Sequence, residues 1–299
     1  MRREDALQIG KATKRSYLGD ASAQTLKTRE ITELCVNSGF NFHFIDAEWP
    51  THYMTPNEFN DILCLGEELG SDLTTIVTIN ARHECAFQLT DEYVQVMERH
   101  ENGGLCFVAG NPTYLTNEER DADVRSRIGD LVKTSRERLA GTPIFVGSEG
   151  LRDLTSELAE SHSVIPFMLL GGHDGELNPG GTEAAVYCPC YLSFDDETKL
   201  IKALGPYALR RRWVRMALRE RGLRVRDVKS QVSNGGAVDA KAANVLRQAI
   251  RKLALCDAQQ AQETLRKYSS AGVRYAAVLL AKDNPEENAC LSRLAAEIS

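Results

Sequence analysis

Short, mainly apolar runs alternate along this chain with longer segments in which apolar residues recur every three or four positions. Runs of four to eight residues have the length of β-strands, whereas the longer periodicity is that of an amphipathic helix. The runs are residues 6–9, 42–45, 74–79, 105–109, 143–146, 165–170, 185–192 and 274–280. We therefore predict eight strands with helical segments between them.

The clearest helix of the series begins after Thr55. Thr55 and Glu58 have the spacing of a capping box, and Pro56 occupies the first helical position. Apolar residues then recur on one side until a glycine permits the chain to leave the helix. Two further segments with the same periodicity are predicted helices, 24–38 and 117–140.

The alternation of strands and helices predicts a parallel sheet, because parallel neighbours need a crossover connection. Eight such units fit a closed (β/α)8 TIM barrel of the α/β class, formed by a single domain over residues 1–299. An open, doubly wound sheet is the alternative. The stretch 195–272 is helical in pattern throughout and exceeds one crossover, so we expect extra helices between strands seven and eight.

Charge and hydropathy exclude some classes of partner. The formal net charge of −6 and the pI near 5.6 give no basic footprint for nucleic acid. The arginine-rich run 210–226 is interpreted as a solvated helix face or a subunit contact. The apolar stretches are shorter than the roughly 20 residues that span a bilayer, and the first residues are charged where a signal peptide is apolar. We expect a cytoplasmic protein without membrane or nucleic-acid partners.

The eight cysteines are scattered and lie mostly within apolar runs. They are interpreted as small buried hydrophobic residues. Cys188 and Cys190 have C-x-C spacing on a predicted strand, which places both on one face, but no second pair completes a zinc site. We expect no metal centre.

In a TIM barrel the functional groups gather where the strands end at their C-terminal side. The corresponding segments here are rich in carboxylates, glycines and histidines, as in "DAEWP" and "NARHE". Asp46 and Glu48 are either proton donors or acceptors near a ligand, or rim carboxylates that cap a turn. His83 is either a ligand contact or a satisfied rim histidine, and Arg82 either binds a phosphate or carboxylate or bridges two loops.

A glycine-rich junction follows the fifth predicted strand. In "PIFVGSEGLRDL" the apolar run stops at Gly147 and a helical pattern follows Gly150. Backbone N–H groups at the start of such a helix can hold a phosphate where glycines allow close approach. The alternative is an ordinary turn between a strand and a helix, which Glu149 favours because its carboxylate repels anions.

Five segments, taken in order and spacing, resemble the luciferase-like oxidoreductases, the bacterial-luciferase superfamily of flavin- and deazaflavin-dependent enzymes. They are "ITELCVNSGFNFHFIDAEWP", "VTINARHECA", "NGGLCFVAGNP", "TPIFVGSEGLRDLTSELAE" and "YSSAGVRYAAVLL". Within that superfamily they look most similar to the methylenetetrahydromethanopterin reductases. The resemblance spans most of residues 20–285.

The resemblance implies a TIM barrel with a deazaflavin coenzyme or FMN lying across the strand ends. It implies hydride transfer to or from a small-molecule substrate, including a role in one-carbon metabolism with a methylene-tetrahydropterin. The residues expected to bind the cofactor are Thr78, Asn80, Arg82, Gly147, Ser148 and Gly150. The residues expected to act in catalysis are Asp46, Glu48 and His83.

The chain also departs from the family in two motifs. The acid–histidine pair that follows the second strand falls on Ala47 and Glu48, and a shift of one residue would restore an acid, Asp46, but no histidine. The arginine of the fourth-strand motif is Leu105. The alternative function is therefore a non-catalytic paralogue that serves as a binding or assembly partner. The resemblance, together with apolar positions on the helices near 55–70 and 90–100, also predicts a homodimer.

Overall fold

Eight parallel strands of the chain close into a barrel. The computed structural model describes residues 7–14, 21–47, 54–109, 121–147, 151–171, 183–234 and 237–298. Its strands are β1 (Gln8–Lys14), β2 (Phe42–Asp46), β3 (Thr74–Asn80), β4 (Gly103–Val108), β5 (Ile144–Gly147), β6 (Ile165–Leu169), β7 (Ala184–Tyr191), β8 (Leu255–Cys256) and β9 (Val273–Leu280). The first seven and β9 pair in a ring that β6 and β7 close, which confirms the predicted (β/α)8 barrel.

Helices surround the barrel. They are α1 (Ala21–Asn37), α2 (Pro56–Glu68), α3 (Ala86–Met97), α4 (Asp121–Arg138), α5 (Arg152–His162), α6 (Glu197–Ala208), α7 (Arg212–Glu220), α8 (Val225–Asn234), α9 (Ala240–Leu253), α10 (Ala258–Ser270) and α11 (Pro285–Ile298). The predicted capping box starts α2, where Glu58 N donates to Thr55 Oγ1 at 3.2 Å and Thr55 N donates to Glu58 Oε2 at 2.8 Å.

The extra helices α6 to α9 lie between the seventh and eighth barrel strands, as predicted. They share a hydrophobic core of their own that includes Leu204, Leu218 and Leu246. The segment 195–272 is not helical throughout, however, because β8 interrupts it and pairs with the end of β7 through Cys190 and Leu255. Within the described ranges, no helix is long and apolar enough to cross a membrane.

Aromatic side chains fill the inside of the barrel. The rings of Phe44 and Phe167 lie 4.8 Å apart between centroids, and Phe145 packs edge-on against Phe167. The neighbouring strand β1 places Gly10 beside Phe42 of β2, where a Cβ would come within 2.3 Å of the Phe42 ring. The interior is therefore a packed core, and a ligand has room only at an end of the barrel.

The cysteines agree in part with their interpretation as buried residues, since five are buried and three, Cys64, Cys85 and Cys290, are partly exposed. All eight are free thiols, and Cys188 and Cys190 are fully buried in the same core cluster outside β7. Burial raises the pKa of both thiols well above the usual range. Within the described residues, no group of three or more histidine, cysteine, aspartate or glutamate side chains is arranged to hold a metal ion.

Candidate functional site

The C-terminal mouth of the barrel has an apolar floor. Side chains alternate across each strand, so a residue two positions after an inward-facing residue of the inner core cluster also faces inward, nearer the mouth. Val108, Leu169 and Leu279 pack on the inner core cluster and remain partly exposed. By the same alternation Asp46 follows Phe44 inward, and it is also partly exposed. The mouth thus combines an apolar floor with a carboxylate at its edge.

Thr78 ties β3 to the end of β2. Its hydroxyl accepts a hydrogen bond from Ala47 N at 2.7 Å and donates one to Ile45 O at 3.3 Å. The side chain is buried, with 5% of its surface exposed. The hydroxyl of this predicted cofactor-binding residue is therefore hydrogen-bonded to the backbone at the wall of the mouth. There it holds the backbone on both sides of Asp46 in place.

The segment after β3 forms a turn closed by its own hydrogen bonds. Asn80 Oδ1 accepts from Arg82 N at 2.9 Å, and Asn80 O accepts from His83 N at 3.1 Å. From α4, the Arg127 guanidinium donates to Ala81 O at 3.0 Å. Asn80 is almost fully buried, so its amide mainly shapes this turn and presents the side chains that follow it.

His83 lies on this turn and is partly buried. Its Nδ1 accepts a hydrogen bond from Cys85 N at 3.1 Å, which places the proton of the neutral ring on Nε2. Desolvation lowers the pKa of His83, and the neighbouring Glu84 carboxylate opposes part of that shift. The ring is therefore suited to donate a hydrogen bond from Nε2 rather than to take up a proton on Nδ1.

Gly147 ends β5 at the same mouth. Its Cα is paired with Phe167 of β6, and a Cβ added to it would lie 3.3 Å from Val108 Cγ1 and 3.6 Å from Phe107 O. A side chain here would thus crowd the apolar floor. The other predicted residues of this junction, Ser148 and Gly150, lie outside the described residues, as does Glu48.

These residues fit the flat ring of a flavin or deazaflavin at the floor, because an aromatic face packs well on partly exposed aliphatic side chains. Of the three residues that depart from the family pattern, the structure describes Ala47 and Leu105. Ala47 is buried and its N–H is bonded to Thr78, while Leu105 is fully buried and faces the outer helices rather than the mouth. Neither position supplies a polar side chain to the site.

A buried ionic network beneath the rim was not expected from the sequence. The Nζ of Lys11, 1% exposed, donates to Asp283 Oδ1 at 3.0 Å and to Asn288 Oδ1 at 2.7 Å. On the same helix as Asn288, the buried Glu287 accepts from the backbone N–H groups of Leu192 and Ser193. The one sequence signal was a lysine inside the run "QIGKATK", which implies a buried partner.

Solved structures with the same fold include two cofactor-dependent enzymes. One is an F420-dependent secondary alcohol dehydrogenase in complex with an F420-acetone adduct, with a TM-score of 0.64, 10% identity and 98% of each chain covered. The other is the oxygenating constituent of 3,6-diketocamphane monooxygenase from Pseudomonas putida with FMN, with a TM-score of 0.60, 12% identity and 98% of each chain covered. At these identities the likeness establishes the fold.

Two comparisons concern the sequence itself. An uncharacterized protein of Methanocaldococcus jannaschii is 27% identical over 193 residues, which cover 62% of this chain and 76% of that protein. The model of DUF7388, a family of unknown function, matches residues 20–283. The chain therefore belongs to the DUF7388 family.

Proposed function

We propose that this chain is an oxidoreductase that transfers a hydride between a small molecule and a deazaflavin or flavin held at the C-terminal mouth of the barrel. The observation that carries the proposal is the mouth itself: Val108, Leu169 and Leu279 form the apolar floor of a barrel whose interior is otherwise filled. The F420- and FMN-dependent enzymes that share the fold support this choice of cofactor.

A bound deazaflavin or flavin would accept or deliver the hydride. The floor would exclude water from one face of the ring, and from the sequence resemblance Gly147 would begin the junction that holds the phosphate. Asp46, fixed through the bonds of Thr78 to its neighbours Ala47 and Ile45, would exchange a proton with the substrate. His83 would orient the ligand by donating a hydrogen bond from Nε2. From the sequence resemblance, a methylene-tetrahydropterin is the proposed substrate.

The second candidate is a non-catalytic paralogue that acts as a binding or assembly partner. It is favoured by Ala47 and Leu105, which are apolar at two positions where the family has an acid and an arginine. Purification from the native source separates the two functions. A stable stoichiometric partner and no bound chromophore would favour the paralogue, and visible flavin or deazaflavin absorbance would favour the enzyme.

A pair of floor variants tests the proposed cofactor position. Val108→Asp places a charge against the ring, whereas Val108→Thr keeps the shape of the side chain. We expect fluorescence quenching to show much weaker binding of both FMN and the deazaflavin coenzyme to Val108→Asp, and nearly unchanged binding to Val108→Thr. Equal binding by the wild type and Val108→Asp would place the ring elsewhere.

A further inference from the structure

A second feature of the C-terminal end is a cavity of about 390 Å³ between the ends of β1, β7 and β9 and the helix α6. Its wall is mostly apolar and includes Ala12, Pro189, Ala203, Leu204 and Leu279. A volume of this size falls within the range of small-molecule sites, about 300–1,000 Å³. The cavity adjoins the mouth, because Leu279 belongs both to the floor and to the cavity wall.

Among the described residues, two charged side chains line the cavity, Arg210 and Asp283. The Asp283 carboxylate is already paired with the buried ammonium group of Lys11, 3.0 Å away. Arg210 is exposed, and the ion pairs found among the described residues do not include its guanidinium group. The adjacent Arg211 stacks on the ring of Tyr207, a lining residue, at 4.8 Å from the centroid. Arg210 is thus the cationic lining residue that we consider for binding a ligand.

Thr13 adds a neutral polar group to the cavity wall. Its hydroxyl lies 3.0 Å from Nε2 of the fully buried His43, whose Nδ1 lies 3.4 Å from Thr32 Oγ1. Burial keeps this imidazole neutral at ordinary pH, since it lowers the pKa of His43 to about 3. The Thr13–His43 pair therefore adds hydrogen-bonding capacity to the wall without adding charge.

We propose that this cavity binds a small molecule made of an apolar body and one anionic group, a carboxylate, sulfonate or phosphate. The apolar body would lie between α6 and the strand ends, and the anionic group would pair with Arg210. If the proposed function is correct, the cavity opens beside the cofactor ring and the molecule it binds is the substrate; this assignment rests on the proposed function. The binding itself needs no cofactor.

The proposal is tested with two dyes of similar shape. 8-Anilinonaphthalene-1-sulfonate carries an anionic group on an apolar body, and N-phenyl-1-naphthylamine has the same aromatic body without charge. We expect the sulfonate dye to bind more tightly, with an affinity that falls as salt is added. Arg210→Gln should weaken the sulfonate dye about threefold to fivefold, as for an ion pair at an exposed edge, and leave the neutral dye unchanged.

Three further variants complete the test, two as controls outside the cavity and one that fills it. Arg212→Gln removes the same charge from an exposed arginine outside the cavity wall, and Trp213→Ala removes an exposed aromatic side chain on α7; neither should change binding. Ala203→Phe fills the cavity and should abolish binding of both dyes, with unchanged circular dichroism showing that the fold persists.

The same preparations are titrated with FMN and the deazaflavin coenzyme, so that the two proposals fail separately. Dye binding that responds to Arg210→Gln and Ala203→Phe would support the cavity even if no cofactor binds. The cavity proposal would be overturned if Arg210→Gln and Ala203→Phe both left the dye affinities unchanged. It would also be overturned if Arg212→Gln or Trp213→Ala weakened dye binding as much as the cavity variants do, whatever the cofactor result.

Discussion

Thr78→Val is expected to loosen the junction between β2 and β3 at the mouth. Valine has nearly the shape of threonine but cannot accept the hydrogen bond from Ala47 N or donate to Ile45 O. Two buried hydrogen bonds of about 1 kcal/mol each give an expected loss of about 2 kcal/mol in the free energy of unfolding. For 299 residues, an unfolding entropy of about 2.1 cal/mol/K per residue converts this loss to a fall of about 3 °C in Tm.

Thermal unfolding followed by circular dichroism measures this effect. Thr78→Ser is the matched control, because it keeps the hydroxyl and loses only a methyl group, worth about 0.8 kcal/mol. We expect the order wild type, Thr78→Ser, Thr78→Val from most to least stable, and weaker cofactor binding only for Thr78→Val. A Thr78→Val protein as stable as the wild type, or more stable than Thr78→Ser, would refute the reasoning.

Three further predictions concern the site, the pH dependence and the assembly. Gly147→Val should abolish cofactor binding with the fold intact, because its Cβ would already lie 3.3 Å from Val108 Cγ1. Gly147→Ala should keep measurable binding. Cofactor titrations of Gly147→Val that match those of the wild type would contradict this prediction. His43 is neutral in the folded state and protonates in the unfolded state below its ordinary pKa of 6.5, so stability should fall as pH decreases from 6.5 towards 3, by about 1.4 kcal/mol per unit. Urea unfolding at several pH values should show a shallower dependence for His43→Gln, and equal slopes would count against the assignment. Light scattering of the wild type should give about twice the chain mass of 33.1 kDa. Phe87→Glu should give a lower mass, since Phe87 is 46% exposed at the start of α3. A wild-type mass near 33.1 kDa would exclude the dimer.

The sequence pattern predicts most of the barrel because buried parallel strands read as local apolar runs. The first strand is the exception: residues 6–9 were predicted, and the strand is Gln8–Lys14. Lys11 breaks the apolar pattern there, and its partner Asp283 is 272 positions away, so no local window can show that its charge is balanced. The two-residue strand β8 is likewise too short to produce a periodic signal.

The site was predictable in residue type and only partly in role. The polar residues at the strand ends predicted where the mouth lies. The hydrogen bond between Ala47 N and the Thr78 hydroxyl was not predictable, because it depends on the alignment of β2 against β3. Strand alternation does explain Leu105: its neighbour Cys106 faces the barrel interior, so Leu105 must face the outer helices. The cavity beside α6 arises from the packing of distant segments, which composition and spacing do not encode.

Equilibrium titration of the purified wild-type protein with FMN and with the deazaflavin coenzyme tests the central claim most directly. Absorbance and fluorescence would be followed in parallel at fixed ionic strength. We predict saturable binding of one cofactor per chain, with a perturbed ring spectrum that reports the apolar floor formed by Val108, Leu169 and Leu279. Absence of binding by both cofactors would contradict the proposed oxidoreductase function and leave the non-catalytic partner as the better account.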